Sequence, residues 1–425
     1  MSGIAEVLLT LGYRITGSDI KESARTRNLE RRGATIWYEH RGENVHGSDV
    51  VVYSSAVDEN NPELQEAHDQ SIPVIPRAEM LAELMKLKDG IAVAGTHGKT
   101  TTTAMVSVIM QSAGYDPTTV VGGRMHNMGI GARLGTDDMI VVEADESDGS
   151  FLKLDPVMSV VTNIEDDHMD FYESMEQMEQ AYIDFINSVP FYGFTAICGD
   201  DPRLSDLTDE IHKPFQTYGF EDGNQLQATG LRKTDFGSQF TVKIDDRPLG
   251  EVQLPVPGEY NVLNALGAMA IGFEQGIAFD LVKEGLENFE GVHRRFEHKG
   301  EINGFAVYDD YAHHPTEVEN TLETANEYFD GELLVIFQPH RYTRTRDLAS
   351  DFGKALTIAD RLCVMDVYAA GEEPIPGIDL EFLSSTIGPH RNGHITEFEG
   401  DRDRVLEWVE EQIDPDQEQV LLTVG

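Results

Sequence analysis

The octapeptide GTHGKTTT at 95–102 constrains this chain more than any other stretch. It follows a short apolar run, 91–94, and precedes a segment apolar at helical spacing (Met105, Val106, Ile109, Met110). A buried strand that turns through glycines into a helix predicts a phosphate-binding loop in an α/β sheet. Gly95 and Gly98 let the amides of Thr96, His97 and Thr101 curl around phosphate oxygens without a Cβ in the way. The helix N-terminus adds partial positive charge, Lys99 a full one, and Thr100 a hydroxyl for Mg²⁺. A strict Walker loop has glycine where Val93 stands, so the match is to a shorter form. The competing reading is a plain glycine-rich turn with an exposed lysine.

With 425 residues the chain has room for about two to four domains. Its 76 acidic against 32 basic residues leave a net charge of −44, which repels nucleic acid and anionic membranes. Any phosphate site must therefore be locally positive. A salt-rich cytoplasm that screens the excess, or simply an acidic surface, accounts for the imbalance. Cys198 and Cys363 lie far apart, with no pairing or metal spacing, as suits a reducing cytosol. No signal segment or bilayer-length apolar run is present. The expectation is a cytoplasmic protein without nucleic-acid or membrane partners; oligomeric state is not legible.

Residues 2–11 read as an amphipathic helix and 13–19 as a strand ending in Asp19. Together they resemble the second half of a dinucleotide-type βαβ unit, so an opening strand and glycine loop are expected before Met1. Asp19 would accept hydrogen bonds from a ribose, or be a solvated strand-end acid. Strand candidates at 34–37, 49–55 and 72–75 alternate with helical stretches and predict one small parallel sheet over residues 1–88. Ser54 and Ser55 end a strand, where open α/β sheets bind ligands; turn serines are the plainer alternative.

Two apolar strands after the loop run into acids. One ends at Glu143, Asp145 and Glu146; the other leads to Glu165, Asp166, Asp167, His168 and Asp170. A carboxylate beside a phosphate-loop strand is where Mg²⁺ needs a hard oxygen ligand, and His168 could bind a metal as neutral imidazole. Asn261 and Asn264 share one face of a small-residue helix. A third unit starts near Gly291 with the basic island HRRF at 293–296. A strand at 305–308 leads to Asp310 and a second, at 333–337, to His340, Arg341 and Arg344, a candidate anion pocket. The last strand, 420–424, is followed at once by Gly425, so a closing helix is expected beyond it.

Seven segments in order carry a resemblance to the Mur ligase family of bacterial cell-wall synthesis: GTHGKTTT at 95–102, EADESD at 143–148, NIEDDHMD at 163–170, GEYNVLN at 258–264, HRRF at 293–296, DDYAHHP at 309–315 and FQPHRYTR at 337–344. The resemblance implies an α/β fold of three domains: a Rossmann-like UDP-sugar domain (1–88), a central P-loop ATPase-type domain (89–290) and a C-terminal Rossmann-like α/β domain (291–425). It implies ATP and Mg²⁺, with Lys99 and the loop residues 95–101 on the phosphates, Thr100 and Glu143 on one Mg²⁺ and His168 near a second. Asn261, Asn264, Arg295 and Asp310 resemble nucleotide-contacting positions, and His340, Arg341 and Arg344 a pocket for an amino-acid carboxylate. The branch resembled most joins L-alanine to the lactyl carboxylate of UDP-N-acetylmuramate through an acyl phosphate, with Lys99, Glu143, His168 and Arg295 in catalytic roles.

Some sister ligases use a carbamylated lysine after the histidine motif; here no lysine occurs between Lys153 and Lys213. A recycling ligase that attaches a whole tripeptide, a folate-polyglutamate-type ligase and a non-catalytic UDP-sugar/ATP sensor are the alternatives.

Overall fold

The computed structural model describes residues 1–54, 57–121, 132–169, 171–302, 305–391, 395–414 and 417–425. Ser55 and Asp170 lie outside them. Two compact units emerge: Met1–Arg232 with Ser238–Pro255 and Asn261–Glu290, and Lys233–Gly237 with Val256–Tyr260 and Gly291–Gly425. The segments expected as the first and second domains thus share one unit.

Four short strands open the chain, β1 (Thr16–Ser18), β2 (Thr35–Trp37), β3 (Val51–Tyr53) and β4 (Val74–Pro76). The single sheet expected here is instead two separate parallel ladders, β1–β2 and β3–β4. None of these strands contains a buried residue. The core comes from the helices between and around them, through Ile4, Val7, Leu64, Ala67, Leu81 and Leu84. Ser23 and Asn61 fix two of those helices by capping their first turns.

The main sheet of the first unit uses β5 (Asp89–Ala94), β6 (Thr118–Val120), β7 (Ala132–Arg133), β8 (Met139–Glu143), β9 (Met158–Val161), β10 (Phe194–Cys198), β11 (Phe215–Gly219), β12 (Leu226–Lys233), β13 (Ser238–Ile244) and β14 (Arg247–Leu254). Their order is β14-β13-β12-β11-β10-β9-β5-β8-β6-β7. The strands from β11 to β6 run parallel, while β7 and the β13–β14 hairpin add antiparallel edges. β5 lies between β8 and β9 and is buried from Gly90 to Ala94, as a central parallel strand covered on both faces must be. Opposite pairs Val93–Glu143 and Ala94–Val161 bring three strand ends level. The helices Lys99–Ser112 and Glu259–Glu274 are buried along most of their length, apolar or small on nearly every face.

The second unit holds β15 (Glu297–Ile302), β16 (Phe305–Asp310), β17 (Glu332–Phe337), β18 (Arg361–Met365), β19 (Ile395–Glu399) and β20 (Gln419–Val424), in the order β15-β16-β20-β17-β18-β19. β20 is a central strand: Leu422 lies opposite Tyr308 on one side and Val335 on the other. One face packs Leu333, Val335, Phe337, Leu362 and Leu422 against the helices Pro315–Tyr328 and Tyr342–Ala355 through Leu322 and Phe352. The other packs Leu334, Cys363 and Leu421 on Val405 and Trp408. The chain passes from β16 to β17, β18 and β19 in one direction and returns to set β20 between β16 and β17, so Asp310 and Phe337 end parallel strands on either side of it.

Leu422 is fully buried in that central strand. Leu422→Ala is expected to cost about 2–5 kcal/mol of the second unit's stability, read by urea unfolding followed by circular dichroism.

Candidate functional site

The phosphate loop leaves β5 at Gly95, whose φ of +133° is open to glycine; a Cβ there would lie 1.9 Å from Thr162 Oγ1. Gly98 has φ +82°, and its Cβ would lie 2.3 Å from Asn264 Oδ1. Thr162 and Asn163, just past β9, brace the loop: Thr162 Oγ1 donates to His97 O (2.5 Å), and the His97 amide donates to Asn163 Oδ1 (2.8 Å). The amide of Glu165 donates to Thr96 Oγ1 (2.9 Å), and His97 Nε2 lies 3.5 Å from Glu165 Oε2. The cradle is thus tied to the neighbouring strand by side chains of Thr96, Thr162 and Asn163.

Lys99 folds back over this loop. Its Nζ donates to Gly95 O (2.6 Å), Thr96 O (2.9 Å) and Glu146 Oε1 (2.8 Å). Glu146 is 1% exposed. Burial pushes its pKa up to about 7, against the pull of Lys99. Burial also works to lower Lys99, but Glu146 and Glu143 outweigh it and hold the ammonium above its ordinary value. His168 Nε2 lies 3.6 Å from the same Glu146 oxygen and 3.5 Å from Asp167 Oδ2, on a residue with φ +58°. Tyr172 fixes this acidic loop by donating to Glu146 O (2.7 Å).

Thr100 Oγ1 lies 3.0 Å from both oxygens of Glu143. A hydroxyl and a carboxylate at the mouth of a loop that turns on Gly95 and Gly98 form an oxygen donor set fit for Mg²⁺ beside a nucleotide phosphate. Asn264 accepts from Thr102 Oγ1 (3.1 Å) in the first turn of the loop helix and donates to Asn261 Oδ1 (3.3 Å), which links the second asparagine to it. Thr101 is buried in that turn. Asp19 is at the surface, accepting from the Lys21 amide (3.3 Å), and Ser54 accepts the Val57 amide through its carbonyl.

In the second unit Asp310 turns inward. Its oxygens accept from the amides of Phe296 and Ala312, both at 2.7 Å, so it fixes the turn carrying Arg294 and Arg295. Burial raises it to about 6, Arg295 opposing. Arg295 pairs with Glu317 at 3.5 Å. His340 packs among Tyr311, His313 and Tyr368, with ring centroids 4.9 to 6.0 Å away. Burial, then Arg294 and Arg344, lower His340 to about 4. Burial also lowers His313 to about 4, despite Glu317. Arg344 is 9% exposed. Arg341 is engaged by Glu372 (2.7 Å) in a backbone conformation with φ +65°. Glu146, Tyr311 and His313 stood in the quoted motifs EADESD and DDYAHHP but were not picked out as site residues, and Glu317 and Glu372 lay outside every motif.

A depression of about 500 Å³ lined by Asp330, Glu332, Asp360 and Glu418 lies at the starts of β17, β18 and β20, the opposite strand ends from His340.

Three family models match in succession: "Mur ligase family, catalytic domain" over 1–89, "Mur ligase middle domain" over 93–272 and "Mur ligase, glutamate ligase domain" over 294–425. The chain is 49% identical to the UDP-N-acetylmuramate–L-alanine ligase of Geobacter sp. strain M21, over 100% of this chain and 92% of the relative. It is 50% identical to that of Geotalea daltonii, over 96% and 89%. The crystal structure of UDP-N-acetylmuramate–alanine ligase from Thermotoga maritima superposes with a TM-score of 0.83 at 30% identity, covering 100% of this chain and 93% of that one. A murein peptide ligase from Psychrobacter arcticus shares the fold, with a TM-score of 0.74 at 24% identity and coverage of 100% and 93%.

Gly98→Ala forces a Cβ onto Asn264 in a left-handed conformation, at a cost of about 1–3 kcal/mol. ATP affinity, measured by calorimetry, is expected to fall about tenfold or more. The two histidines also set an acid limb of stability. Unfolded imidazoles take up protons below the ordinary value of 6.5, whereas the folded ones stay neutral down to about 4, so stability is lost as pH falls through that window. Asp310 acts in the opposite sense between 3.8 and about 6. His340→Gln is expected to shrink the drop in Tm between about pH 7 and about pH 5.

Proposed function

The chain belongs to the Mur ligase family, and from that premise we propose that it joins L-alanine to the lactyl carboxylate of UDP-N-acetylmuramate, forming ADP and phosphate. The observation that carries this reading is identity near one half, along essentially the whole chain, to relatives named for that activity. ATP use follows from the family. We assign Mg²⁺ to Thr100 and Glu143, with His168 near a second ion; bound there, Mg²⁺ offsets phosphate charge. The sugar nucleotide goes to residues 1–88, with Asp19 and Ser54 among its contacts, and the compartment to the cytoplasm. Among the described residues no helix is long and apolar enough to cross a membrane.

The reaction joins two groups that do not combine unaided. A carboxylate oxygen attacks the γ-phosphorus, the bond to the β-phosphate oxygen breaks, and ADP departs. The loop amides and Lys99 hold the phosphates and take up charge as it grows on the leaving oxygen. Arg295 is assigned to the same crowded anions, and Asn261 and Asn264 to the nucleotide. Asp310 contributes by holding the turn that presents Arg295. The alanine ammonium gives up one proton to a base, and its freed lone pair attacks the activated carbonyl. As the tetrahedral intermediate collapses, the C–O bond to phosphate breaks and the nitrogen sheds its second proton, leaving the amide and inorganic phosphate.

We assign the alanine carboxylate to Arg344 and Arg341, beside His340. An imidazole lowered to about 4 is too weak a base to accept the ammonium proton well, so His340 serves as a contact rather than the base. His168 remains the candidate base in the first unit. With UDP-N-acetylmuramate and ATP present, L-alanine is expected to drive phosphate release in a coupled assay. Release with L-alanyl-γ-D-glutamyl-diaminopimelate but not with L-alanine would overturn the assignment in favour of the recycling ligase.

A further inference from the structure

Positive charge is scarce here, yet two cations meet consecutive acids of one loop. Glu146 holds Lys99, and the preceding residue, Asp145, holds Arg77: Arg77 Nη2 lies 3.0 Å from Asp145 Oδ2. Arg77 opens the helix Arg77–Met85 directly after β4, at the C-terminal strand end where open α/β sheets take ligands. It belongs to the segment matched by the first family model, whereas Asp145 belongs to the middle one. Its side chain keeps 31% exposure, so the guanidinium is tethered but open to solvent.

Asp145 is well supplied without it. Its other oxygen accepts from Ser147 Oγ (2.6 Å) and the Ser147 amide (3.2 Å). Asp145 directly precedes Glu146, which takes the Lys99 ammonium at 2.8 Å, so one loop ties Arg77 and the phosphate-loop lysine through consecutive carboxylates.

We propose that Arg77 is the residue that positions the substrate's reacting carboxylate for attack on the γ-phosphate, and that Asp145 holds it ready until substrate arrives. The proposal rests on the ligase reading above. Bringing a carboxylate up to a triphosphate sets like charges together, and a planar guanidinium can bind that carboxylate through two parallel N–H donors. The carboxylate oxygen that forms the new bond to phosphorus keeps a lone pair directed away from Arg77.

The test compares Arg77→Gln and Arg77→Lys with the unaltered protein, using two ligands that share nucleotide and sugar. UDP-N-acetylmuramate carries the lactyl carboxylate; UDP-N-acetylglucosamine lacks it and serves as competitor. Arg77→Gln is expected to raise KM for UDP-N-acetylmuramate or lower kcat by roughly 10- to 100-fold. The competitor's inhibition constant and the KM for ATP should stay within about twofold, and Arg77→Lys should recover part of the loss. If Arg77→Gln weakens both sugar nucleotides equally, Arg77 binds the diphosphate or merely braces the loop, and the proposal falls. Unchanged kinetics would also overturn it. Failure of the unaltered protein to release phosphate with L-alanine would instead strike the ligase assignment, which separates the two claims.

Discussion

Parallel pairing of β5 with β8 on one side and β9 on the other is the constraint on which the first unit's chemistry depends. A one-residue slip in either ladder would turn every side chain to the opposite face. The register that sets Val93 opposite Glu143 and Ala94 opposite Val161 brings the glycine loop, the Glu143 carboxylate and the Thr162–Asn163 brace to one edge. From this alignment follow the contacts of Thr100 with Glu143 and of the loop backbone with Asn163. The helix Glu259–Glu274 completes the arrangement by laying Asn264 against Thr102.

Strain gathers where the chemistry is assigned. Among the described residues, positive φ at non-glycine positions occurs at His168, Arg294, Phe296 and Arg341, besides four positions in turns elsewhere. Each such conformation costs free energy that the surroundings must offset. Asp310 does so for Arg294–Phe296 with a buried carboxylate bound to backbone amides, and Glu372 for Arg341 with an ion pair. Buried acids in both units therefore act on the cations beside them, and their own elevated or depressed pKa values record the effort.

The loop, its strand and its helix were legible because glycine, lysine and apolar periodicity are local signals. The β5, β8, β9, β16, β17 and β20 strands were legible for the same reason, as continuous apolar runs between turn residues. The four short strands of residues 1–88 were found, but not their grouping into two ladders, since pairing partners leave no local mark. Lys99 stood out in the loop from sequence, whereas which acid would pair with it was hidden among six consecutive residues that include four acids. Only the fold distinguishes the one that points inward. Asp310 was expected at the nucleotide; its bond to the Ala312 amide is a local Asx-type turn, but its bond to the Phe296 amide is a tertiary fact that no spacing rule foretells.

The central position of β20 has a consequence for how the second unit is made. Its partners β16 and β17 emerge from the ribosome long before it, with Asp310 waiting for Val424 across more than a hundred residues. Until residues 419–424 arrive, each of those strands presents an unpaired, apolar edge to the cell, the kind of surface that recruits other chains. The sheet closes by insertion, not by extension, so the arrival of β20 decides between a finished domain and a sticky one. A chaperone that shields the β16 and β17 edges during that interval would influence yield without touching the final stability.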